Sequence, residues 1–218
     1  MSPGPPRRLI RVDDTRIRTE TAAERREQAD LLAALTEEQW DAPTLCEGWR
    51  VREVIAHTTM PYRTSLARVV LEVVRARGSF DRMADRRARA DAARSTSAEL
   101  VAALRDNAEH PWAPPGGGRL GALSHDLIHG LDVTVALGLD RTPPPERVGM
   151  VLSGFDTRRA RFFGIDVTGL RFVATDVDWS YGEGAEVRGP AAALLLAVCG
   201  RRVPDGHLTG TPASRFTG

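Results

Sequence analysis

Five histidines stand in the chain: His57, His110, His125, His129 and His207. His125 and His129 are four residues apart in a stretch that reads as helix, so both rings leave one face. An i, i+4 histidine pair can chelate one metal ion. Asp132 lies three residues further on the same face, where it could orient a ligand histidine. Leu120, Leu123, Leu127 and Leu131 form a separate aliphatic stripe, which leaves the histidine face outside the packing face. His57 lies on an earlier strong helix. If the two helices are antiparallel neighbours in a bundle, His57 could complete a three-histidine site, since bundle metal sites are built from facing helices. A histidine pair at this spacing also occurs by chance, and the zinc-protease HExxH pattern is absent. His110, before Pro111 in a loop, and His207, near the C-terminus, read as structural or surface residues.

The elements that must hold these residues follow from periodicity. A weakly amphipathic helix spans about 13–35, and Thr36 to Gln39 has capping-box spacing before a short turn ending at Trp40. A stronger helix spans 50–74, where Val51, Ile55, Tyr62, Leu66, Val69, Val70 and Val73 repeat at helical spacing. Pro61 removes the hydrogen bond that the carbonyl of His57 would accept, so a kink is expected just after His57. Residues 76–95 read as a solvated helix or loop. Thr96 to Glu99 is a second capping box, opening a helix to about 107. Gly116, Gly117 and Gly118 are not followed by Lys-Ser/Thr, so they make no phosphate loop. Helices are expected at 120–137 and, after Pro143 to Pro145, up to Gly164, with Val148, Val151, Leu152, Phe155 and Phe162 apolar.

Beyond that point the period changes. Residues 171–179 alternate as a strand, with Val173, Thr175 and Val177 on one side. Residues 180–184 read as a turn and 185–188 as a second strand. An apolar helix then follows Pro190 and closes at Gly200. The architecture expected is mostly α: an up-down four-helix bundle over 1–165, then a small α+β unit over 166–218. Residues 1–10 are Pro/Arg-rich and read as loose.

Composition narrows the function. All thirty basic residues are arginine, against 29 acidic ones, a net charge of +1. A strong positive excess, the mark of a polybasic nucleic-acid binder, is missing. The longest apolar run, 191–199, is far short of the roughly 20 residues a membrane span needs. The first nine residues have two arginines and no apolar run, so no signal peptide is read there. Cys46 and Cys199 make no disulfide scaffold. A cytoplasmic protein with no nucleic-acid or membrane partner is the expectation.

Two stretches resemble a known family. Thr44, Leu45, Cys46, Glu47, Gly48 and Trp49 run on to His57, and His129, Gly130, Leu131 and Asp132 run on to Gly138. Both resemble the mycothiol-dependent maleylpyruvate isomerases, within the DinB-like four-helix-bundle superfamily. The stretch from Ala174 through Arg188, Gly189 and Pro190 to Arg201 resembles the family's C-terminal unit. The resemblance implies a DinB-like bundle holding a divalent metal, with His57, His125 and His129 as its ligands. One departure matters. The characterised isomerases have a Glu-xxx-His pair, whereas this chain has His125 in the first position. Three neutral imidazoles leave a more positive site.

The resemblance implies a metal-dependent transferase or isomerase that uses a low-molecular-weight thiol, mycothiol, on a small electrophile. Zinc is the first expectation for an imidazole site, with nickel or iron also fitting. The metal would generate a thiolate, so no protein nucleophile is needed. Cys46 and Cys199 then read as packing residues, with site lining as the alternative for Cys46, and Trp49 as a core anchor. Asp132 is a candidate second layer behind a ligand histidine, with capping or pairing with an arginine as the equal alternative. Arg188 and Arg201 are candidates to hold a substrate carboxylate, and Asp176 and Asp178 read as solvating an edge strand. The alternative is a non-catalytic protein of the same fold that binds a metal or small ligand. Oligomeric state stays open, a homodimer being one option.

Overall fold

The computed structural model describes residues 13–218; the expected loose stretch 1–10 lies outside the described residues. Ten α-helices are described there. They are α1 (Asp14–Ala33), α2 (Glu37–Trp40), α3 (Val51–Arg63), α4 (Leu66–Arg75), α5 (Phe80–Ala92), α6 (Ser97–Asp106), α7 (Gly118–Ala136), α8 (Pro145–Ser153), α9 (Thr157–Phe162) and α10 (Ala191–Val198). Both capping boxes form as expected, Thr36 with Gln39 and Thr96 with Glu99.

α1 and α3 each pack on both α6 and α7, closing a four-helix bundle. Asp14 meets Arg119, and Arg25 meets Asp126, so α1 and α7 run the same way. His57 meets His125 while the earlier Leu45 meets Asp132, so α3 runs against α7.

α1 is only weakly amphipathic because its inner face is itself polar. Thr21, Glu24, Arg25 and Gln28 are all buried there. Three of them bond across the interior: Arg25 Nε donates to Asp126 at 2.6 Å, Gln28 donates to the carbonyl of Asp126 at 2.7 Å, and Glu24 accepts from Arg147 at 2.7 Å.

The single helix expected over 50–74 is two. Pro61 lies inside α3, which stops two residues later. Thr64 is extended, and Ser65 caps the new helix α4 by accepting from the amide of Arg68. α4 buries no residue fully, and Leu66, Val70, Leu71 and Val74 stay exposed along it. Residues 80–92 are not merely solvated. α5 buries Met83, Ala84, Ala88, Asp91 and Ala92 and packs on α3. The expected helix up to Gly164 is also two, because Asp156 caps α9 separately. Phe162 is 80% exposed, not apolar-facing.

The C-terminal unit holds β1 (Leu170–Ala174), β2 (Ser180–Gly182) and β3 (Ala185–Gly189) in the order β2-β1-β3. β1 pairs antiparallel with β2 and parallel with β3. β1 is shorter than expected and buries Leu170 and Phe172, the face opposite the expected Val173, Thr175 and Val177. A period-2 pattern names two faces but does not say which one meets a core. Asp176 accepts from the amide of Ala191 at 2.8 Å, so it holds the start of α10.

Two main apolar cores result. One lies inside the bundle and includes Leu32, Trp40, Val54, Ile55, Leu104 and Val133. The other joins Leu123, Leu127 and Leu131 of α7 to Val151 of α8, Phe172 of β1 and Leu194 of α10. The leucine stripe of α7 therefore packs on the C-terminal unit, which leaves the histidine face for the bundle interior. Among the described residues, no helix is long and apolar enough to cross a membrane.

Candidate metal centre

His57 comes from α3, and His125 and His129 come from adjacent turns of α7. Their ring centroids lie 4.9 to 5.1 Å apart. His57 Nε2 and His125 Nε2 approach to 3.2 Å, and one nitrogen from each of the three rings lies within 4.8 Å of the others. His57 is buried; His125 and His129 are partly so.

Carboxylates hold the far sides of two rings. His129 Nδ1 donates to Asp132 Oδ2 at 3.0 Å, and His125 Nδ1 donates to Asp126 Oδ1 at 3.0 Å. An ionised carboxylate only accepts, so each Nδ1 carries the proton, which in a neutral ring leaves Nε2 as the metal-binding nitrogen. Each carboxylate is anchored in turn. Arg201 grips Asp132 with two hydrogen bonds of 2.9 Å, and Arg25 meets Asp126 at 2.6 Å with both side chains buried.

Burial opposes the charge on Asp132, but the bonds from His129 and Arg201 outweigh it and hold the carboxyl well below the usual range. Burial pushes His57 far down, and its neighbours His129 and His125 push it the same way. His129 is also lowered, burial outweighing the pull of Asp132. Both rings are therefore neutral at pH 7, the state in which imidazole binds a metal. His57 Nδ1 is buried with no partner. Three convergent ring nitrogens, two of the rings oriented by carboxylates, fit an imidazole-liganded divalent ion.

Two tryptophans wall the cluster. Trp49 lies tilted against His57 with ring centroids 5.0 Å apart and donates its Nε1 to Asp85 at 2.8 Å, so it is a wall of the site, beyond the core anchor expected. Trp112 meets His125 edge-on at 5.2 Å. Cys46 does more than pack. Its Sγ lies 3.1 Å from Asp132 Oδ2 and 3.2 Å from Arg201. Burial pushes its thiol up to about 12, with the Asp132 charge adding to the effect. Cys199 is buried and likewise raised to about 12 by burial.

The two candidate arginines are placed differently. Arg201 is occupied by Asp132, behind His129. Arg188 sits on β3, pairs with Glu186 at 2.9 Å and is 47% exposed. The structure does not bring it to the cluster. Asp126 and Trp112 are site residues that sequence reasoning missed. Asp126 follows His125 directly, a spacing that helical face rules do not pair.

Fold and cluster together define a class: a four-helix bundle with three imidazoles converging inside it, buttressed by a small α+β unit. Residues 21–126 match the family described as the mycothiol maleylpyruvate isomerase N-terminal domain. The matched stretch is just under half of the chain and includes Trp49, His57 and His125. A crystal structure of the mycothiol-dependent maleylpyruvate isomerase is similar over 94% of this chain and 95% of that one, with a TM-score of 0.53 and 14% identity. At that identity the likeness speaks for the fold. A histidine-to-alanine mutant of the mycothiol-dependent maleylpyruvate isomerase gives 16% identity over the same shares, with a TM-score of 0.45. No curated protein matches the chain.

Proposed function

We propose that this chain is a metal-dependent enzyme that uses a low-molecular-weight thiol, mycothiol, to isomerise or conjugate a small electrophile. The observation that carries the reading is the convergence of His57, His125 and His129, with two of the rings pre-oriented by carboxylates. The match of residues 21–126 to the mycothiol maleylpyruvate isomerase N-terminal domain supports mycothiol as the thiol.

His57, His125 and His129 would hold the ion, zinc first among those that suit imidazole. Bound there, a divalent ion supplies Lewis acidity that lowers a thiol pKa toward neutrality. Asp126 and Asp132 keep the Nδ1 protons of their histidines and fix the ring directions. Trp49 and Trp112 cover two sides of the cluster. Cys46 stays a protonated thiol at neutral pH, so it does not compete as a nucleophile. A thiolate adding to the double bond of a cis-unsaturated acid leaves a single bond that rotates. Elimination then returns the thiol and the trans acid. With a halide or epoxide the same attack ends in a thiol conjugate. In this reading residues 1–165 carry the site and residues 166–218 support it through Arg201.

The test is elemental analysis of the purified protein beside His57→Ala and His129→Ala. About one equivalent of divalent metal, lost in both variants, is expected for a three-histidine site. Metal retained in both variants, or none bound after reconstitution, overturns the assignment and leaves the non-catalytic reading.

A further inference from the structure

A cavity of about 400 Å³ opens between α1, residues 108–112 and the start of α7. Arg18, Arg25, Arg26 and Arg119 line it, with Glu109 the one acidic lining residue and Trp112 an aromatic wall. None of the three clustered histidines lines it.

Arg25 is the unusual member. It is 1% exposed. Its Nε meets Asp126, and its Nη1 donates to the carbonyls of Ala108 at 3.1 Å and His110 at 2.8 Å. Its Nη2 is buried and has no partner. A buried polar group left unsatisfied is rare in folded proteins, and an unseen water or ion is a recurrent explanation. The rim adds charge. Arg26 pairs with Glu109 and Arg119 with Asp14, both on exposed surface. Arg18 is exposed and pairs with no acidic side chain among the described residues.

We propose that this cavity binds a small organic carboxylate. Arg18 and Arg119 on the rim meet its charge, Arg25 lines the wall behind them, and its carbon skeleton lies against Trp112. Guanidinium groups match carboxylate and phosphate geometry alike; the aromatic wall favours a ligand with a carbon skeleton. None of the cluster's histidines lines the site, yet the two share Trp112 and the Arg25–Asp126 pair, since Trp112 meets His125 and Asp126 also holds it.

Calorimetric titration of the full chain with benzoate, succinate and inorganic phosphate tests this. A carboxylate is expected to bind at low salt and to weaken as ionic strength rises. Arg18→Glu and Arg119→Glu, both surface changes that spare the fold, are expected to weaken it about tenfold or more. His129→Ala is expected to leave it unchanged. Three results overturn the proposal: no binding of either carboxylate, phosphate preferred over both, or indifference to both charge reversals. Loss of binding in His129→Ala alone does the same, since the anion would then sit at the histidines.

Discussion

His129 turns one nitrogen to the cluster and the other to Asp132, and Asp132 is held in place by Arg201. Replacing Asp132 by Asn removes the charge that Arg201 and His129 share. Breaking a buried pair by neutralising one partner costs about 3–5 kcal/mol. Loss of a carboxylate behind a ligand histidine weakens metal binding by about 10–100-fold. Asp132→Asn should therefore lower the urea midpoint and, if the histidines hold the proposed metal, loosen it in a competition with a chelator. A change in stability with unchanged metal affinity would confine Asp132 to the fold. At this scale much was legible. The i, i+4 spacing and the stretch ending at His57 singled out the three histidines and Asp132. Asp126 and Trp112 were not legible, because their contacts to His125 depend on how α1 and residues 108–112 close over the bundle.

Helix packing depends on single small residues and buried charges. Gly130 lies where α7 packs against Gln28 and Glu24 of α1. A Cβ there would stand 2.4 Å from Gln28 Nε2 and 3.1 Å from Glu24 Oε1. Gly130→Ala should destabilise the fold by about 1–3 kcal/mol, the usual range for overpacking. It should also displace Gln28 from the Asp126 carbonyl, visible as a chemical-shift change at the amides of residues 125–129. The second element-scale feature is Arg147 of α8, which is buried and meets Glu20, Glu24 and Glu27 of α1. The hydrogen bond from Arg147 holds Glu27 below its ordinary value of 4.5, outweighing a smaller desolvation effect. The unfolded chain then binds more protons than the folded one in the window below 4.5. Glu27 contributes stability that is present above that value and lost as pH falls through its lower folded pKa. The acid-side fall in urea midpoint should be shallower in Glu27→Gln. An unchanged fall would remove Glu27 from the account.

The whole molecule is joined across one face of α7. Leu123, Leu127 and Leu131 share a core with Phe172, Val187 and Leu194 to Leu196. Arg201 crosses the same junction to reach Asp132. A chain cut after residue 165 would expose that leucine face and leave Asp132 without its arginine. Such a chain should bind an apolar dye and lose its cooperative unfolding transition, whereas the full chain should unfold in one step. A truncated chain that stays monomeric and unfolds cooperatively would show that the C-terminal unit is not needed for the bundle.

What the sequence determined by itself is local and periodic. Capping boxes, the helical repeat, the change to a strand period near residue 170 and the face shared by His125, His129 and Asp132 all depend on near neighbours. Tertiary structure decided the rest. It broke the 50–74 helix at Thr64, chose Leu170 and Phe172 as the inner face of β1, and gave α1 a polar interior to serve Asp126 and Arg147. It also drew Arg201 onto Asp132 and left Arg188 in solvent. Periodicity says which residues share a face; only packing says what that face meets, and a buried charge is placed by the partner waiting for it.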